Sequence, residues 1–400
     1  MNEIKNIKTV AVTGTNGKTS TVELARQLLD SAGYRPASLG TMGLHIKDMD
    51  SYEPILIGSE AIPELADELV EYHQVDTLIY EAFSASIMGK LYDKLPLDIA
   101  VLTYIGEDHL DYHGSKENYV NAKLRLFREL LREKGTAIYN AGDERTKEIK
   151  QICKGRNINT FTFGLNRKAD LYLTNVKTLG DKSKGILNYQ HKEYHISVPF
   201  IGGVFLLNWL AAFSISLQCN VKLEKLLENS RSLKLPAGRL EHIGNYKGAR
   251  IYIDYAHTAD ALIAVLNVLR KVTNDKLHLV FGCGGGRDIS KRGQMGTVAQ
   301  NYADSIYITD DNPRDEDPKE IRKQIMEFCP IGIEISDRKM AIKRAIHNLK
   351  INDTLIIAGK GHENYQEIKG DKKYFSDKEI VLEYINKVTQ RFDDHELQLS

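Results

Sequence analysis

The feature that most constrains this chain is a glycine-bearing loop near its N-terminus, between an apolar strand and a helical stretch. The loop reads TGTNGKTS and follows the apolar run Thr9–Thr13. Phosphates are bound by backbone N–H groups that converge at a helix N-terminus, and glycines let the chain approach them closely. The spacing GxxxxGK[ST] is not met, because Val12 occupies the position of the first glycine, so the segment is a tighter variant. The loop predicts nucleoside triphosphate binding and leaves the reaction open.

Within this loop, Lys18 is expected to reach the β- and γ-phosphates, and the Thr19 hydroxyl is expected to hold Mg²⁺. The alternative is a glycine-bearing turn that only caps the following helix. The residues predicted to bind the nucleotide here are Gly14, Thr15, Asn16, Gly17, Lys18, Thr19 and Ser20.

Strands and helices alternate along most of the chain, which predicts an α/β fold with a mostly parallel sheet. One helix is expected over Lys116–Lys134, and short alternating runs over Phe161–Val198 predict a small antiparallel subregion. The segment Leu235–Gly238 breaks the pattern, and the α/β rhythm restarts at Ala249. We therefore predict a phosphate-loop domain over residues 1–236 and a Rossmann-like domain over residues 237–400.

Composition excludes several classes of protein. Lys+Arg and Asp+Glu both number 54, so no global basic field favours nucleic acid or an anionic membrane. The four cysteines are scattered without a CxxC pair, which argues against a zinc ribbon and for reduced thiols. No apolar run approaches the roughly 20 residues of a membrane span, and the N-terminus runs straight into a strand without a signal peptide. A cytoplasmic protein is expected.

Two further residues lie just past the ends of predicted strands, where ligands bind in open α/β sheets. Glu81 follows the run Thr77–Tyr80, and His109 follows the run Ile99–Thr103. They allow a shared metal site, although Glu81 equally suits a helix cap and His109 a hydrogen bond within its loop. Lys123, in a stretch of mixed charge, reads from the pattern alone as a solvated lysine.

Seven segments resemble a known family in their order along the chain: TGTNGKTS, DHLDYHGSKENYVNAKLRLF, GRLEHI, DYAHTADAL, FGCGGGRD, TDDNPRDEDP and AGKGHENYQ. The chain resembles the Mur ligases from about Val10 to Glu379, and within them the diaminopimelate-adding UDP-N-acetylmuramoyl-tripeptide synthetase branch. The resemblance implies an ATP-dependent, ADP-forming amide ligase that phosphorylates a carboxylate, after which an amine attacks the acyl phosphate. It also implies a monomer.

The resemblance assigns roles to the residues near the phosphate loop. Lys18 and Thr19 would bind the ATP phosphates and Mg²⁺, and Glu81 and His109 would ligate Mg²⁺. Lys123 matches a lysine that becomes carbamylated and supports a second Mg²⁺, which reverses the interpretation from pattern alone. Farther along the chain, the nucleotide-binding matches are Asn208 near the adenine, Arg239, Asp254 and His257.

On the acceptor side, the segment Asp311-Asn312-Pro313-Arg314 matches a DNPR element that accompanies meso-diaminopimelate in that branch. Arg314 suits bidentate binding of a distal carboxylate. Gly359 and Glu363 match positions at the distal end of that amino acid. Without the resemblance, DNPR reads as a polar turn before a helix near Pro318.

The donor side departs from the family pattern. The family has a uridine-binding domain before the phosphate loop, whereas here the strand leading into the loop begins at about Thr9. A Thr-Thr-Pro element reads as Gly58–Pro63, and Phe83 and Ala85 replace polar residues. Smaller changes are Phe205 for asparagine, Ala259 for proline and Gly286 for aspartate. We therefore predict a ligase that adds a diaminopimelate-like amino acid to a carboxylate donor that carries no UDP-sugar.

Three alternatives stay open from the sequence. The first is the ordinary cell-wall ligase, with the uridine-binding domain either supplied by a separate donor-binding protein or lost from this chain. The second is a non-catalytic, regulatory protein that retains the ligase fold. The third is a phosphate-loop ATPase, which would hydrolyse ATP without any amine and would leave the DNPR and GKGHE segments unexplained.

Overall fold

The computed structural model describes residues 7–47, 49–51, 61–106 and 110–397. The chain forms two compact units, Met1–Leu235 and Pro236–Ser400. Each unit is built around its own β-sheet with flanking helices, so the predicted α/β fold is confirmed. In the described part of the chain, no helix is both long enough and apolar enough to cross a membrane.

The first unit contains one sheet of eleven strands within the described residues. They are β1 (Lys8–Thr13), β2 (Pro36–Gly40), β3 (Gly43–Ile46), β4 (Met49–Ser51), β5 (Thr77–Glu81), β6 (Leu97–Leu102), β7 (Leu131–Asn140), β8 (Asn159–Gly164), β9 (Leu171–Leu179), β10 (Lys182–Tyr189) and β11 (Lys192–Val198). Their order in the sheet is β11-β10-β9-β8-β7-β6-β1-β5-β2-β3-β4.

The centre of this sheet is parallel and its two ends are antiparallel. Strand β1 pairs in parallel with both β5 and β6, and all three are almost entirely buried, as expected of strands covered on both faces. The antiparallel pairs are β2–β3–β4 at one end and β9–β10–β11 at the other. The antiparallel subregion is therefore narrower than predicted over Phe161–Val198, because β8 pairs in parallel with β7 after a helical crossover.

The helices of the first unit are α1 (Lys18–Ser31), α2 (Ala61–His73), α3 (Ser84–Met88), α4 (Leu110–His113), α5 (Lys116–Arg125), α6 (Thr146–Gly155), α7 (Gly203–Gln218) and α8 (Leu223–Asn229). The single helix predicted over Lys116–Lys134 is wrong. Helix α5 passes into a π-helical turn, Leu126–Leu130, and β7 begins at Leu131, which pairs with Leu97 of β6. The exposed charged residues after Leu131 are compatible with the polar face of a helix, which explains the wrong prediction. In the structure they form the start of strand β7.

The second unit has a six-stranded sheet and a separate hairpin within the described residues. Its strands are β12 (Glu241–Tyr246), β13 (Ala249–Asp254), β14 (Leu277–Phe281), β15 (Ser305–Ile308), β16 (Ile333–Glu334), β17 (Thr354–Ala358), β18 (Tyr365–Ile368) and β19 (Asp371–Tyr374). Its helices are α9 (Ala259–Arg270), α10 (Ser290–Tyr302), α11 (Pro318–Met326), α12 (Arg338–His347) and α13 (Asp377–Leu397).

The order in the larger sheet is β12-β13-β17-β14-β15-β16, with β12 antiparallel and the other pairs parallel. Strands β13, β14, β15 and β17 therefore end at the same edge, where ligands bind in sheets of this kind. Asp254 is the last residue of β13, Gly359 follows β17, and Asp311 lies shortly after β15. The topology thus gathers the residues predicted in this half of the chain at one edge.

Candidate active site

The phosphate loop spans the residues between β1 and α1, and its two glycines adopt conformations that side chains disfavour. Gly14 has φ 151° and Gly17 has φ 89°. A Cβ on Gly14 would lie 2.0 Å from Thr103 Oγ1, and a Cβ on Gly17 would lie 2.3 Å from Asn208 Oδ1. Glycine is therefore required at both positions, and Gly17 carries no side chain that could cap the first N–H groups of α1. Such N–H groups form a natural site for an anion.

Polar side chains anchor this loop from behind. The Thr15 hydroxyl lies 3.0 Å from the Tyr119 hydroxyl and accepts a hydrogen bond of 2.9 Å from Gly106 N–H. Thr103 donates to Asn16 O at 2.7 Å. These bonds join the loop to the segment after β6 and to α5, so the loop is held in shape by neighbours distant in sequence.

Lys18 folds back over the loop to which it belongs. Its ammonium donates to Gly14 O at 2.8 Å and to Thr15 O at 3.0 Å. The same ammonium lies 5.6 Å from the centre of the Phe83 ring. Ser20, the last residue predicted in the loop, is buried in the first turn of α1. The Lys18 charge is thus concentrated where the loop would receive phosphate oxygens.

Thr19 and Glu81 come together although they are far apart in sequence. Both are buried, and Thr19 Oγ1 donates to Glu81 Oε2 at 3.1 Å. The second carboxylate oxygen accepts from Thr41 N–H at 2.8 Å. Gly40 makes room for this carboxylate, since a Cβ there would lie 2.4 Å from Glu81 Oε1.

This pair of oxygen ligands fits a magnesium ion. Mg²⁺ prefers hard oxygen ligands and is usually held by one or two carboxylates together with waters and substrate phosphates. The described residues contain no group of three or more His, Cys, Asp or Glu that could hold a metal. His109, the other predicted ligand, lies outside the described residues.

Lys123 is a buried residue of the phosphate-loop region, so the interpretation as a solvated lysine is wrong. Only 2% of the residue is exposed, and its ammonium donates to Gly14 O at 3.0 Å. It also lies 4.5 Å from the centre of the Tyr119 ring. Lys123 shares a buried face of α5 with Val120 and Leu124. The charged residues on the rest of the helix obscured this face in the sequence pattern, which therefore predicted a helix that is polar on all sides.

A second histidine of the same segment was missed by the sequence reasoning. His113 Nε2 lies 2.9 Å from Ser84 Oγ, and both residues are buried. Its ring packs edge-on against Tyr119, the residue that holds Thr15. Ser84 begins α3, directly after Phe83, so this pair joins α3 to α4. No spacing in the sequence distinguishes His113 from His109.

In the second unit, Asp254 is a buried carboxylate at the carboxyl edge of the sheet. Its two oxygens accept hydrogen bonds of 2.7 Å from Leu240 N–H and Ala256 N–H. Burial raises the pKa of Asp254 to about 6, although the charge of Arg239 and these two hydrogen bonds act in the opposite direction. Asp254 therefore fixes the backbone on both sides of it.

Arg239 and His257 meet on Tyr255, which the sequence reasoning did not single out. The Arg239 guanidinium lies 4.5 Å from the centre of the Tyr255 ring, and the His257 ring packs edge-on against it. His257 Nδ1 lies 2.9 Å from Tyr255 O. His362 packs on the same ring, and burial together with the Arg239 charge lowers the pKa of His362 to about 4.

Four predicted acceptor residues form what we call the Asn312 cluster: Asp311, Asn312, Gly359 and Glu363. Asn312 Nδ2 donates to Glu363 Oε2 at 2.9 Å, and Asn312 N–H donates to Asp311 Oδ1 at 2.8 Å. Gly359 has φ 112°, and a Cβ on it would lie 2.6 Å from Asp311 Oδ2. The cluster reaches Tyr255, whose hydroxyl lies 3.3 Å from Glu363 Oε1.

Arg314 lies beside this cluster in a left-handed backbone conformation, with φ 51°. Its guanidinium donates to Gly285 O at 2.7 Å and forms a 3.0 Å ion pair with Glu367. Glu367 was not predicted, and it keeps the guanidinium charge compensated. Bidentate binding of an acceptor carboxylate by Arg314 stays a prediction, and such a ligand would share the guanidinium with Glu367.

The residues that depart from the family pattern lie at different places in the structure. Phe83 is 37% exposed beside Lys18, whereas Phe205 is buried in α7. Ala259 begins α9, and Gly286 N–H donates to Glu316 at 2.6 Å. Gly58, Ser59 and Glu60 lie outside the described residues.

Comparison with known proteins agrees with this geometry. The model of the Mur ligase middle domain matches residues 12–216, and that of the Mur ligase glutamate ligase domain matches residues 238–361. A UDP-N-acetylmuramoyl-L-alanyl-D-glutamate–2,6-diaminopimelate ligase from Rickettsia bellii is 38% identical over 380 residues. The matched region covers 93% of this chain and 79% of that relative.

Solved structures give the same assignment. A structure of a UDP-N-acetylmuramoyl-L-alanyl-D-glutamate–2,6-diaminopimelate ligase matches with a TM-score of 0.70 and 31% identity, over 96% of this chain and 79% of the other. The fold is also similar to that of a MurF ligase from Thermotoga maritima in complex with ADP, with a TM-score of 0.70 and 19% identity over 96% and 81% of the two chains. With both units matched, the chain belongs to the Mur ligase family of ATP-dependent, ADP-forming amino-acid ligases.

Proposed function

We propose that this chain joins an amino acid of the 2,6-diaminopimelate type to UDP-N-acetylmuramoyl-L-alanyl-D-glutamate, with ATP as the phosphoryl donor and Mg²⁺ as the metal. The observation that carries the proposal is the Asn312 cluster, in which residues separated in sequence meet at one edge of the second sheet. The identity of 38% to a ligase named for that reaction supports it.

The chemistry follows from the poor reactivity of a carboxylate toward an amine. A donor carboxylate oxygen forms a bond to the γ-phosphorus while the bond from that phosphorus to ADP breaks. The acceptor nitrogen then bonds to the acyl carbon, phosphate leaves, and the amine proton passes to solvent. Lys18 would compensate phosphate charge, so that positioning and electrostatics supply most of the rate enhancement.

Thr19 and Glu81 are the residues of this chain that would hold Mg²⁺, with His109 as a further proposed ligand. Their oxygens already lie 3.1 Å apart in a buried place next to the phosphate loop. When bound, the ion would neutralise phosphate oxygens. We assign the nucleotide to residues 1–236 together with Arg239, Asp254 and His257, and the acceptor amino acid to residues 237–400.

Carbamylation of Lys123 belongs to the same proposal, and the loop geometry supports it. Lys18 and Lys123 both donate to Gly14 O, so two ammonium groups converge on one carbonyl oxygen. Like charges this close disfavour each other. The Lys123 ammonium first loses a proton. Addition of CO₂ to the neutral amine then forms an N–C bond and releases a second proton, so that a carbamate anion replaces the cation. Intact-mass measurement with and without bicarbonate tests this step.

A second candidate is a ligase whose carboxylate donor carries no UDP-sugar. The comparisons lend it no support, since the relatives reported above are named for a UDP-linked donor. One observation favours it: Phe83 exposes an aromatic ring 5.6 Å from Lys18, where the resemblance places a polar residue. A less polar donor would suit that surface. A monomeric state and a separate donor-binding protein also stay predictions.

The experiment is ADP release with Mg·ATP, a panel of donors and a panel of amino acids, with products identified by mass spectrometry. The donors include UDP-N-acetylmuramoyl-L-alanyl-D-glutamate and UDP-free peptides, and the acceptors include 2,6-diaminopimelate and lysine. An amide product with the UDP-linked donor and diaminopimelate supports the first proposal. A product formed only with a UDP-free donor supports the second. ATP hydrolysis at a rate that is independent of every added amine refutes both proposals. The Lys18→Met variant is the control for contaminating ATPases.

A further inference from the structure

Lys360 is a fully buried lysine in the segment that follows β17. It stands between Gly359 and Gly361 in the GKGHE segment, and neither its residue type nor its spacing predicts a role for it. Its exposed fraction is 0%, yet its ammonium forms specific hydrogen bonds, to Asn312 Oδ1 at 3.0 Å and to Glu363 Oε2 at 3.1 Å. A buried ammonium is costly unless it is paired and hydrogen-bonded, so these two contacts keep it in place.

The Glu363 carboxylate is held asymmetrically as a result. Oε2 accepts hydrogen bonds from Lys360 Nζ and from Asn312 Nδ2. Within the described residues, Oε1 accepts a longer hydrogen bond, of 3.3 Å, from the Tyr255 hydroxyl. One oxygen is thus committed to the protein, and Oε1 is the one that can accept strong hydrogen bonds from a ligand.

The Asn312 amide is used inside the protein at both ends. Its Oδ1 accepts from Lys360 Nζ and from Glu367 N–H, each at 3.0 Å, while its Nδ2 donates to Glu363. These bonds define the orientation of the amide, because a flipped amide would place its NH₂ group against two donors. Asn312 therefore acts as a brace between Lys360 and Glu363.

We infer that Lys360 is a positioning residue for acceptor recognition: it compensates the charge of Glu363 and orients Oε1 toward the acceptor's ammonium group. This inference rests on the proposed function, in which Glu363 contacts the distal end of the acceptor amino acid. The inference extends the proposed function, because it assigns Lys360 to acceptor recognition and Asn312 to the support of that lysine. A lysine with only a packing role would leave the choice of acceptor unaffected.

The test is steady-state kinetics of the full-length Lys360→Met variant, which keeps the apolar stem and removes the ammonium. The acceptor is whichever amino acid the wild type ligates in the panel above. We expect KM for the acceptor to rise at least about tenfold, because the partly buried Glu363 carboxylate loses its charged partner, with KM for ATP changed less than about twofold. Lys319→Met, at an exposed lysine on α11, is the matched control and should leave both values unchanged.

A double-mutant cycle with Glu363→Gln separates positioning from packing. If Lys360 acts through Glu363, the effects of the two substitutions on acceptor KM are less than additive. Additive effects, or equal rises in KM for ATP and acceptor, overturn the inference. Should circular dichroism show that Lys360→Met is unfolded, Lys360→Arg decides. Near-wild-type acceptor KM in that charge-conserving variant supports the inference, and equal losses for both substrates refute it. If the wild type ligates no amino acid, the proposed function itself fails.

Discussion

The phosphate loop of the first unit and the Asn312 cluster of the second are built by different means. In the loop, backbone conformation dominates: two glycines with positive φ lie against Thr103 and Asn208, and the N-terminus of α1 is left without a side-chain cap. In the cluster, side chains dominate, since a buried ammonium, an amide and a carboxylate bond to one another.

The difference determines which changes each site can tolerate. A backbone site depends on the absence of a Cβ, and it uses partial charges that stay constant with pH. A side-chain site keeps full charges away from water, so removing any one partner leaves another uncompensated. The loop should therefore be sensitive to added bulk, and the cluster to small changes in charge or in hydrogen-bonding shape.

The largest effect is expected at Glu81, a full negative charge within the backbone-dominated site. Glu81→Gln keeps the shape but removes the charge that would balance Mg²⁺, so kcat should fall at least about 100-fold, or ~3 kcal/mol. Raising the Mg²⁺ concentration should restore part of the lost kcat. Activity measured across a Mg²⁺ titration checks this, with the exposed Glu228→Gln as control. Wild-type activity at every Mg²⁺ concentration would contradict the assignment.

The next effect concerns the buried carboxylate of the second unit. The Asp254 pKa is raised from 3.8 to about 6. Between these two pH values, the folded state retains a proton that the unfolded state has lost. The corresponding stability is present below pH 3.8 and is lost as the pH rises through 6, by roughly 2–3 kcal/mol.

Thermal unfolding of the wild type and of Asp254→Asn between pH 4 and pH 8 measures this loss. The advantage of the wild type over the variant should shrink as the pH rises, on top of a constant offset from the altered hydrogen bonds. Asp315→Asn, at an exposed aspartate, is the matched control for the loss of a carboxylate. A flat difference for Asp254→Asn would disprove the role of burial.

Gly17→Ala tests the backbone side of the comparison. At φ 89°, a Cβ is strained and would displace the Asn208 amide, at a cost of about 2 kcal/mol. We expect KM for ATP to rise about 30-fold while KM for the acceptor is retained. Gly155→Ala is the matched control, because a Cβ there has nothing within 4 Å. Equal behaviour of the two variants would show that the conformation of Gly17 is unimportant for ATP.

The smallest effect is expected for Arg314→Lys, which preserves charge but not shape. A lysine cannot reproduce a planar, bidentate contact, so the preference for an acceptor with a distal carboxylate over lysine should narrow by about tenfold. Competition between the two amino acids, followed by mass spectrometry of the products, measures this preference. Arg344→Lys, at an exposed arginine, should leave it unchanged.

Features formed by contiguous residues could be predicted from the sequence, whereas features that depend on tertiary contacts could not. The strand, loop and first turn of α1 are contiguous, so the phosphate loop could be located without any tertiary contact. Lys123 and His113 could not be judged in this way, because the burial of one helix face depends on which strands and loops cover it. The turn at Leu126–Leu130 was missed for a related reason: exposed charges are compatible with both a helix and the beginning of a strand.

The sequence by itself determined the α/β class, the phosphate loop and the resemblance to the Mur ligases, because these rest on contiguous residues and on their order. Only the tertiary structure decided that Thr19 contacts Glu81, that Lys18 and Lys123 share one carbonyl oxygen, and that Lys360 donates to both Asn312 and Glu363. Parallel strands bring their carboxyl ends to the same edge whatever their separation along the chain. Side chains there become neighbours through topology, which local sequence patterns do not record.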